Sequence, residues 1–293
     1  GFYKYGNRAF GCWNRRGHGA VNLKKALSES CDVYFYKLGE QLGVDRIAAY
    51  ARRFGAGSPL GVGLDNEKSG LVPTAAWKEK RFGTKWIKGE TLPVAIGQGY
   101  LLMTPIQLAA MTAAVANEGT LYRPHLVKRV ISPEGRILRE FTPEIVSRAG
   151  LRGESYRLVK KGLLAVVNDP GGTGGMARLY EVKVAGKTGT SQVVKLRNGR
   201  NVAGYQYRDH ALFVAFAPFE KPEIAVAVVV EHGAHGGSAA APIAGRILRT
   251  YFQGKGVIRK PVPRKADLPA EQDDEAEGGE PETPGVEEQQ TND

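Results

Sequence analysis

Lys187-Thr188-Gly189-Thr190 is the segment whose residue types point most directly to chemistry. It follows the strand-like run Val182-Lys183-Val184-Ala185-Gly186. On a strand, an ammonium, two hydroxyls and a glycine form a wall that a ligand backbone can approach closely. Such a wall can hold a carboxylate by charge-assisted hydrogen bonds and can donate a main-chain N–H to an oxyanion. A surface strand followed by a turn would explain the same four residues.

Ser30-Cys31-Asp32 is a second candidate, at the predicted start of a helix. Two polar side chains two residues apart could serve as a proton shuttle (Ser30) and a hydrogen-bond acceptor (Asp32). Ordinary N-capping of the helix by either side chain is the structural alternative.

The predicted secondary structure that must position these residues changes from mostly helices to mostly strands near Gly119 to Pro124. Before this point the pattern is mostly helical, and Asp45 and Thr104 are the predicted N-caps of two helices. After it, strands predominate, and Ile224–Val230 is expected to be a buried central strand. The sequence thus predicts an α/β fold with an antiparallel sheet covered by helices, beside a mostly helical subregion. The predicted helices are 31–43, 45–54, 104–119, 154–167 and 239–252, and the predicted strands are 127–132 and 135–141 (a hairpin), 182–194, 210–217 and 223–231.

Charge separates the body of the chain from its end. The 293 residues carry a net charge of +11, but positions 266–293 contain 11 acidic residues and no Lys or Arg, which leaves the first 265 residues at +22. Residues 261–293 are predicted to be a disordered acidic tail, because they contain almost no large apolar residue. A basic body suits an anionic polymer or membrane face. Without an RNP-type aromatic run or zinc-finger spacing, nucleic acid is not a predicted partner.

Taken together, the motifs resemble those of penicillin-recognising enzymes, whose signature is Ser-x-x-Lys, Ser-x-Asn and Lys-Thr-Gly. Ser30-x-Asp32 and Lys187-Thr188-Gly189 occupy the second and third places in the right order. Between them, Gly97-Gln98-Gly99 and Thr104-Pro105-Ile106-Gln107 resemble a block of class B penicillin-binding proteins. Further segments, among them Asp209-His210-Ala211-Leu212-Phe213, resemble the penicillin-binding protein 2, or elongation, branch. The resemblance covers about Gly11 to Tyr251 and implies a multidomain serine β-lactamase/transpeptidase-like fold over residues 1–260, with 1–119 mostly helical and 120–260 containing the sheet and a terminal helix.

Two departures from the family pattern matter. Asp32 stands where most members have Asn, and its charge would alter the pKa of a nearby lysine. No serine in the chain has a lysine three residues later, so Ser-x-x-Lys is absent. We therefore expect the nucleophile and its lysine to lie upstream of Gly1, and the 293-residue chain to be inactive alone.

The resemblance implies a role for each candidate residue. A serine would attack the D-Ala-D-Ala carbonyl of a stem peptide, expel D-alanine and pass the acyl group to a second amine. Ser30 would relay protons, and Lys187 would orient and polarise its hydroxyl. Thr188 and Thr190 would bind the terminal carboxylate, beside Gly189, and a main-chain N–H next to Thr190 would complete the oxyanion hole. Penicillins would acylate the same serine. Gln98 is expected to shape the fold.

Cys12, His18 and Cys31 could supply three corners of a tetrahedral zinc site. Some penicillin-binding protein 2 members hold a structural zinc with Cys, His and Asp beside the second motif. Two alternatives remain open at this point: free buried thiols, or a Cys12–Cys31 disulfide in the oxidising compartment that the family implies. No cofactor is expected for catalysis. His232 and His235 are better explained by a Gly-rich loop at the rim of the cleft than by a metal site.

Three functions compete. The leading one is a peptidoglycan D,D-transpeptidase, and the alternatives are a non-catalytic penicillin-sensing or wall-binding module and a β-lactamase-like hydrolase. The Gly-Gln-Gly and Thr-Pro-x-Gln block favours the transpeptidase. Its implied partners are stem peptides, β-lactam antibiotics and a membrane glycosyltransferase of the elongation machinery. The implied location is the periplasmic face of the bacterial inner membrane, with an anchor outside this sequence.

Overall fold

The computed structural model describes residues 1–193 and 204–259, and Gly1–Ile258 form one compact unit. The predicted acidic tail, 261–293, lies outside the described residues. The helices are α1 Leu23–Ser28, α2 Asp32–Leu42, α3 Val44–Arg53, α4 Ala75–Phe82, α5 Thr91–Ala95, α6 Pro105–Ala116, α7 Gly153–Asn168 and α8 Ala241–Gly254. The strands are β1 Phe2–Tyr5, β2 Arg8–Gly11, β3 Thr120–Tyr122, β4 Arg129–Ile131, β5 Ile137–Glu140, β6 Ile145–Arg148, β7 Ala185–Ser191, β8 His210–Ala217 and β9 Ile224–Val230.

An antiparallel sheet of order β7-β8-β9 forms the centre of the unit, and helices cover both of its faces, as predicted. On one face, Phe213 packs with Leu248 and Phe252 of α8 in the main buried cluster. On the other face, Phe216 packs with Ala116 of α6. Successive side chains of a strand point to opposite faces. Phe213 and Phe216 of β8, an odd number of positions apart, therefore anchor helices on opposite sides of the sheet.

The prediction that Ile224–Val230 is a central strand is wrong for the described residues. β9 lies at one edge of the sheet, and β8 is the middle strand. Helices α6 and α8 both contact β9, but only Val226 and Val228 of this strand are buried, and Val229 is exposed. The continuous apolar run therefore specified neither full burial of the strand nor its place in the sheet order.

The helix starts agree with the prediction at Thr104 and disagree at Asp45. Thr104 caps α6: its hydroxyl accepts from the N–H of Gln107, whose side-chain oxygen accepts from the N–H of Thr104. Helix α3 begins one residue earlier than predicted, after Gly43. The Asp45 carboxylate instead accepts a hydrogen bond from the N–H of Ala75 at the start of α4. A tertiary contact replaces the local cap.

Elsewhere the boundaries differ modestly. The hairpin of β4 and β5 lies where it was predicted, whereas the hairpin of β1 and β2 was not anticipated. The predicted strand 182–194 is β7, which is shorter; position 194 lies outside the described residues. The last helix begins after a π-helical turn, Gly236–Ala240. Within the described ranges, no helix is long and apolar enough to cross a bilayer.

Candidate active site

Ser30 lies in the tight connection between α1 and α2 and has a left-handed backbone, with φ of +53°. The preceding turn is closed by the N–H of Cys31, which donates to the carbonyl of Ala26 (2.9 Å). Cys31 is the N-cap position of α2, and no side chain caps the helix there. N-capping therefore does not account for Ser30 or Asp32. The Ser30 hydroxyl accepts a hydrogen bond from the Lys187 ammonium, with Nζ and Oγ 2.8 Å apart.

Lys187 reaches Ser30 from strand β7, 157 residues along the chain. Its Nζ also donates to the main-chain oxygen of Thr188 (3.0 Å). Burial lowers the pKa of Lys187 from 10.5 to about 8, because a desolvated ammonium is disfavoured; the negative charge of Asp32 acts in the opposite direction. An amine with this pKa can hold or release a proton near neutral pH.

Asp32, the first residue of α2, lies beside this pair. One carboxylate oxygen accepts from the main-chain N–H of Trp13 (3.1 Å). Burial raises the pKa of Asp32, and this effect is opposed by the hydrogen bonds from Trp13 and the Cys12 thiol and by the charge of Lys187. The structure therefore brings Ser30, Asp32 and Lys187 together.

Strand β7 presents Thr188, Gly189 and Thr190 along the same wall. The hydroxyls of Thr188 and Thr173 are 2.8 Å apart, and the side-chain amide of Gln98 donates to the main-chain oxygen of Thr190 (3.3 Å). A cavity of about 290 Å³ lies between the 97–99 loop and residues 191–193. Sequence reasoning did not single out Thr173, which lies in a Gly-rich turn, and Gln98 was assigned only a structural part. The Gly-Gln-Gly pattern was the available signal for Gln98.

The wall is backed by main chain. Gly236 packs so closely that an added Cβ would overlap the main-chain atoms of Gly189 and the carbonyl oxygen of Leu212. The preceding loop is held by the N–H of His232, which donates to Nδ1 of His210 (3.0 Å). His235 is exposed. These contacts fit a Gly-rich loop beside the cleft, the preferred explanation of the two histidines.

Cys12, His18 and Cys31 form a compact cluster in which one ligand atom from each lies within 4.8 Å of the others. Both cysteines are buried and free, and Cys12 Sγ is 3.7 Å from Nδ1 of His18. Nε2 of His18 is buried without a hydrogen-bond partner. Burial raises the pKa of the Cys12 thiol. Two thiols and one imidazole, whose Nε2 is the orphaned buried nitrogen, are a donor set that fits zinc.

Comparison with known proteins identifies the family. Residues 1–249 match the family model of the penicillin binding protein transpeptidase domain. Peptidoglycan D,D-transpeptidase MrdA of Haemophilus influenzae is 35% identical over 283 residues, which span 90% of this chain but only 42% of that protein.

Two solved structures are similar. Penicillin-binding protein 2 of Pseudomonas aeruginosa in complex with WCK 5153 is 37% identical, with a TM-score of 0.75 over 89% of this chain and 56% of that one. Penicillin-binding protein 2 of Helicobacter pylori in complex with MreC is 34% identical, with a TM-score of 0.72 over 87% of this chain and 44% of that one. The chain therefore belongs to the penicillin-binding protein transpeptidase family, in its penicillin-binding protein 2 branch.

Proposed function

We propose that this chain provides most of the active-site cleft of a serine-type peptidoglycan D,D-transpeptidase. The observation that carries the proposal is the 2.8 Å contact between the Ser30 hydroxyl and the Lys187 ammonium at the start of the Lys187–Thr190 wall. A hydroxyl that shares a proton with a lysine of lowered pKa can pass protons between a nucleophile, a leaving amine and an attacking amine. This activity is a proposal for the chain, because the chain spans only about two fifths of the length of the Haemophilus influenzae relative.

The reaction follows from these positions. A serine nucleophile, supplied in the proposal by a Ser-x-x-Lys motif outside these 293 residues, gives its proton to the lysine of that motif and attacks the carbonyl of the penultimate D-alanine. Thr188 and Thr190 hold the terminal carboxylate, and a main-chain N–H beside Thr190 stabilises the oxyanion. Ser30, polarised by Lys187, delivers a proton to the departing D-alanine amine. The same hydroxyl then accepts a proton from the amine of a second stem peptide as that amine takes the acyl group.

Asp32 has a supporting part in this scheme. It is held by the main-chain N–H of Trp13 and acts on Lys187 through its charge. This charge opposes the effect of burial, so the lysine retains enough basicity to exchange protons with Ser30. An Asn at this position would keep a hydrogen-bond acceptor but remove the charge.

Two alternatives use the same fold: a β-lactamase-like hydrolase and a non-catalytic wall-binding or penicillin-sensing module. The Gly97–Gly99 loop argues for the synthase, because Gln98 ties this loop to the main chain of Thr190 in the substrate wall. A module that only binds the wall would have no need of a lysine with a lowered pKa in contact with a serine hydroxyl.

The partners and the location that we propose are those that membership of the penicillin-binding protein 2 branch implies. Stem peptides and β-lactam antibiotics are the small partners, and the basic body suits anionic polymers of the cell wall. We propose a membrane glycosyltransferase of the elongation machinery as the protein partner, at the periplasmic face of the inner membrane. The complex of the Helicobacter pylori relative with MreC supports an assembled state.

We also propose a structural zinc at Cys12, His18 and Cys31. The support is the convergence of the three ligand atoms within 4.8 Å and the orphaned Nε2 of His18. When bound, zinc would deprotonate the thiols and link the β1–β2 hairpin to the start of α2. No catalytic step depends on it.

Intact-mass spectrometry with benzylpenicillin tests the proposed function. We compare the 293-residue chain with the natural polypeptide that carries its flanking sequence. An adduct on the longer protein alone supports the proposal, and cross-linked product from a stem peptide and an amine acceptor excludes the hydrolase. No adduct on either protein overturns it. An adduct on the short chain would mean that the nucleophile is wrongly assigned, with Ser30 the first residue to examine.

A further inference from the structure

The left-handed backbone of Ser30 needs an explanation, because this conformation is unfavourable for a residue with a Cβ. Ser30 follows the C-cap of α1, and the turn is closed by the N–H of Cys31, which donates to Ala26 O (2.9 Å), and by a longer bond from the N–H of Ser30 to Leu27 O (3.3 Å). Because α1 has only six residues, this turn gains from further contacts that hold it. A change in this turn would move Oγ of Ser30 away from Lys187.

Trp13 supplies those contacts. Its indole N–H lies 3.0 Å from the carbonyl oxygens of both Glu29 and Ser30, and its main-chain N–H binds the carboxylate of Asp32. One residue thus contacts Glu29, Ser30 and Asp32, which lie before, at and after the proposed proton relay. The Trp13 side chain is 61% exposed, so burial in a core does not explain a tryptophan here.

The β1–β2 hairpin, which precedes Trp13, packs firmly against α2. Trp13 follows the β1–β2 hairpin after one residue, and Phe10 of β2 packs edge-on against Tyr36 of α2 with ring centroids 5.7 Å apart. The Tyr36 hydroxyl also donates to the carbonyl of Gly11 (3.2 Å). The hairpin and α2 therefore form one body, and the indole bridges from it to the connection that precedes α2.

We propose that Trp13 is a positioning residue that fixes Ser30 in its left-handed conformation through the indole N–H. The structural part of this inference stands on the hydrogen bonds alone, whereas its consequence for the reaction rests on the proposed function. Trp13 does not touch the reacting atoms. It acts through the main chain of Glu29 and Ser30, which sets the direction of the Ser30 hydroxyl.

Trp13→Phe is the discriminating variant, because it keeps an aromatic ring beside His18 and removes the one donor. Trp86→Phe is the matched control: it also removes an indole hydrogen bond, to the Thr91 hydroxyl (2.9 Å), but leaves the Ser30 segment untouched. All variants are made in the polypeptide with its natural flanking sequence and measured at equal zinc content. The readouts are amide hydrogen exchange over residues 29–33 and the rate of acylation by benzylpenicillin.

We expect Trp13→Phe to accelerate exchange over residues 29–33 and to slow acylation about tenfold, as for a misplaced proton relay. Trp86→Phe should leave both readouts at wild-type values. In a Ser30→Ala background, Trp13→Phe should slow acylation no further, because the group that it positions is already gone. Unchanged exchange over residues 29–33 overturns the inference.

An equal loss of acylation rate with and without Ser30 would also overturn the inference, since it would mean a general loss of structure. If the wild-type protein is not acylated, the proposed function fails. The exchange measurement then still decides whether Trp13 holds the segment.

Discussion

The lowered pKa of Lys187 predicts that the stability of the folded chain rises with pH in a defined window. In the folded protein the pKa falls from 10.5 to about 8 because burial disfavours the charged form. Below pH 8 the folded and unfolded states both carry the proton, and the folded state bears the full cost. Between pH 8 and 10.5 the unfolded chain keeps the proton that the folded chain has lost, so the free energy of unfolding increases with pH.

The magnitude follows from the size of the change. At about 1.4 kcal/mol per pKa unit, the lowering from 10.5 to about 8 corresponds to about 3 kcal/mol. The Lys187 residue keeps some solvent exposure, so its ammonium stays partly hydrated and the expected effect is reduced to about 2 kcal/mol. Other groups titrate in the same window, among them Tyr36, whose pKa burial raises. A variant without the Lys187 amine is needed to separate them.

Urea unfolding of wild type and Lys187→Met at about pH 7 and about pH 10.5 measures the effect. The unfolding free energy of the wild type minus that of Lys187→Met should increase by about 2 kcal/mol over this range, since contributions common to both proteins cancel. A difference that stays constant with pH would refute the reasoning, because Lys187 would then titrate alike in both states. If the difference falls with pH, the charge of Asp32 raises the pKa of Lys187 more than burial lowers it.

Two further predictions concern the framework around the cleft. Gln107→Leu should lower the unfolding free energy by about 2–4 kcal/mol in urea titrations. The buried amide of Gln107 donates to the carbonyls of Ser58 and Ser69 and accepts from the N–H of Thr104, and leucine would leave all three groups unpaired. An unchanged midpoint would contradict this. Zinc at about 100 times its dissociation constant should raise the unfolding free energy by about 2.7 kcal/mol in wild type and much less in Cys31→Ala, as followed by calorimetry. Equal responses of the two proteins would reject the metal site.

Local sequence signals anticipated much of this site. Lys187 and Ser30 could be paired because their two motifs resemble, in the right order, the second and third signature motifs of penicillin-recognising enzymes. The cap of α6 was also predictable, since Thr104 and Gln107 satisfy each other within one turn. Such features depend on residues close in sequence or on motifs whose order is meaningful.

What could not be predicted depends on contacts between distant segments. Asp45 has the residue type and position of a helix cap, but a bond to Ala75 takes its carboxylate. The place of β9 in the sheet was missed because a continuous apolar run does not specify which strands pair with it. Trp13 carries no pattern of its own: its importance appears only when the β1–β2 hairpin brings its indole to Ser30.

The contact of Gly236 with Gly189 has a mechanical consequence. Main chain rests directly on main chain there, with no side chain between them to change rotamer and absorb a displacement. The strand that would hold a ligand is therefore stiff from behind, so ligands of different shape must adapt to the wall instead of deforming it. Variation in ligand preference then has to come from the opposite side of the cleft, around the 97–99 loop and the Ser30 segment, where side chains form the contacts.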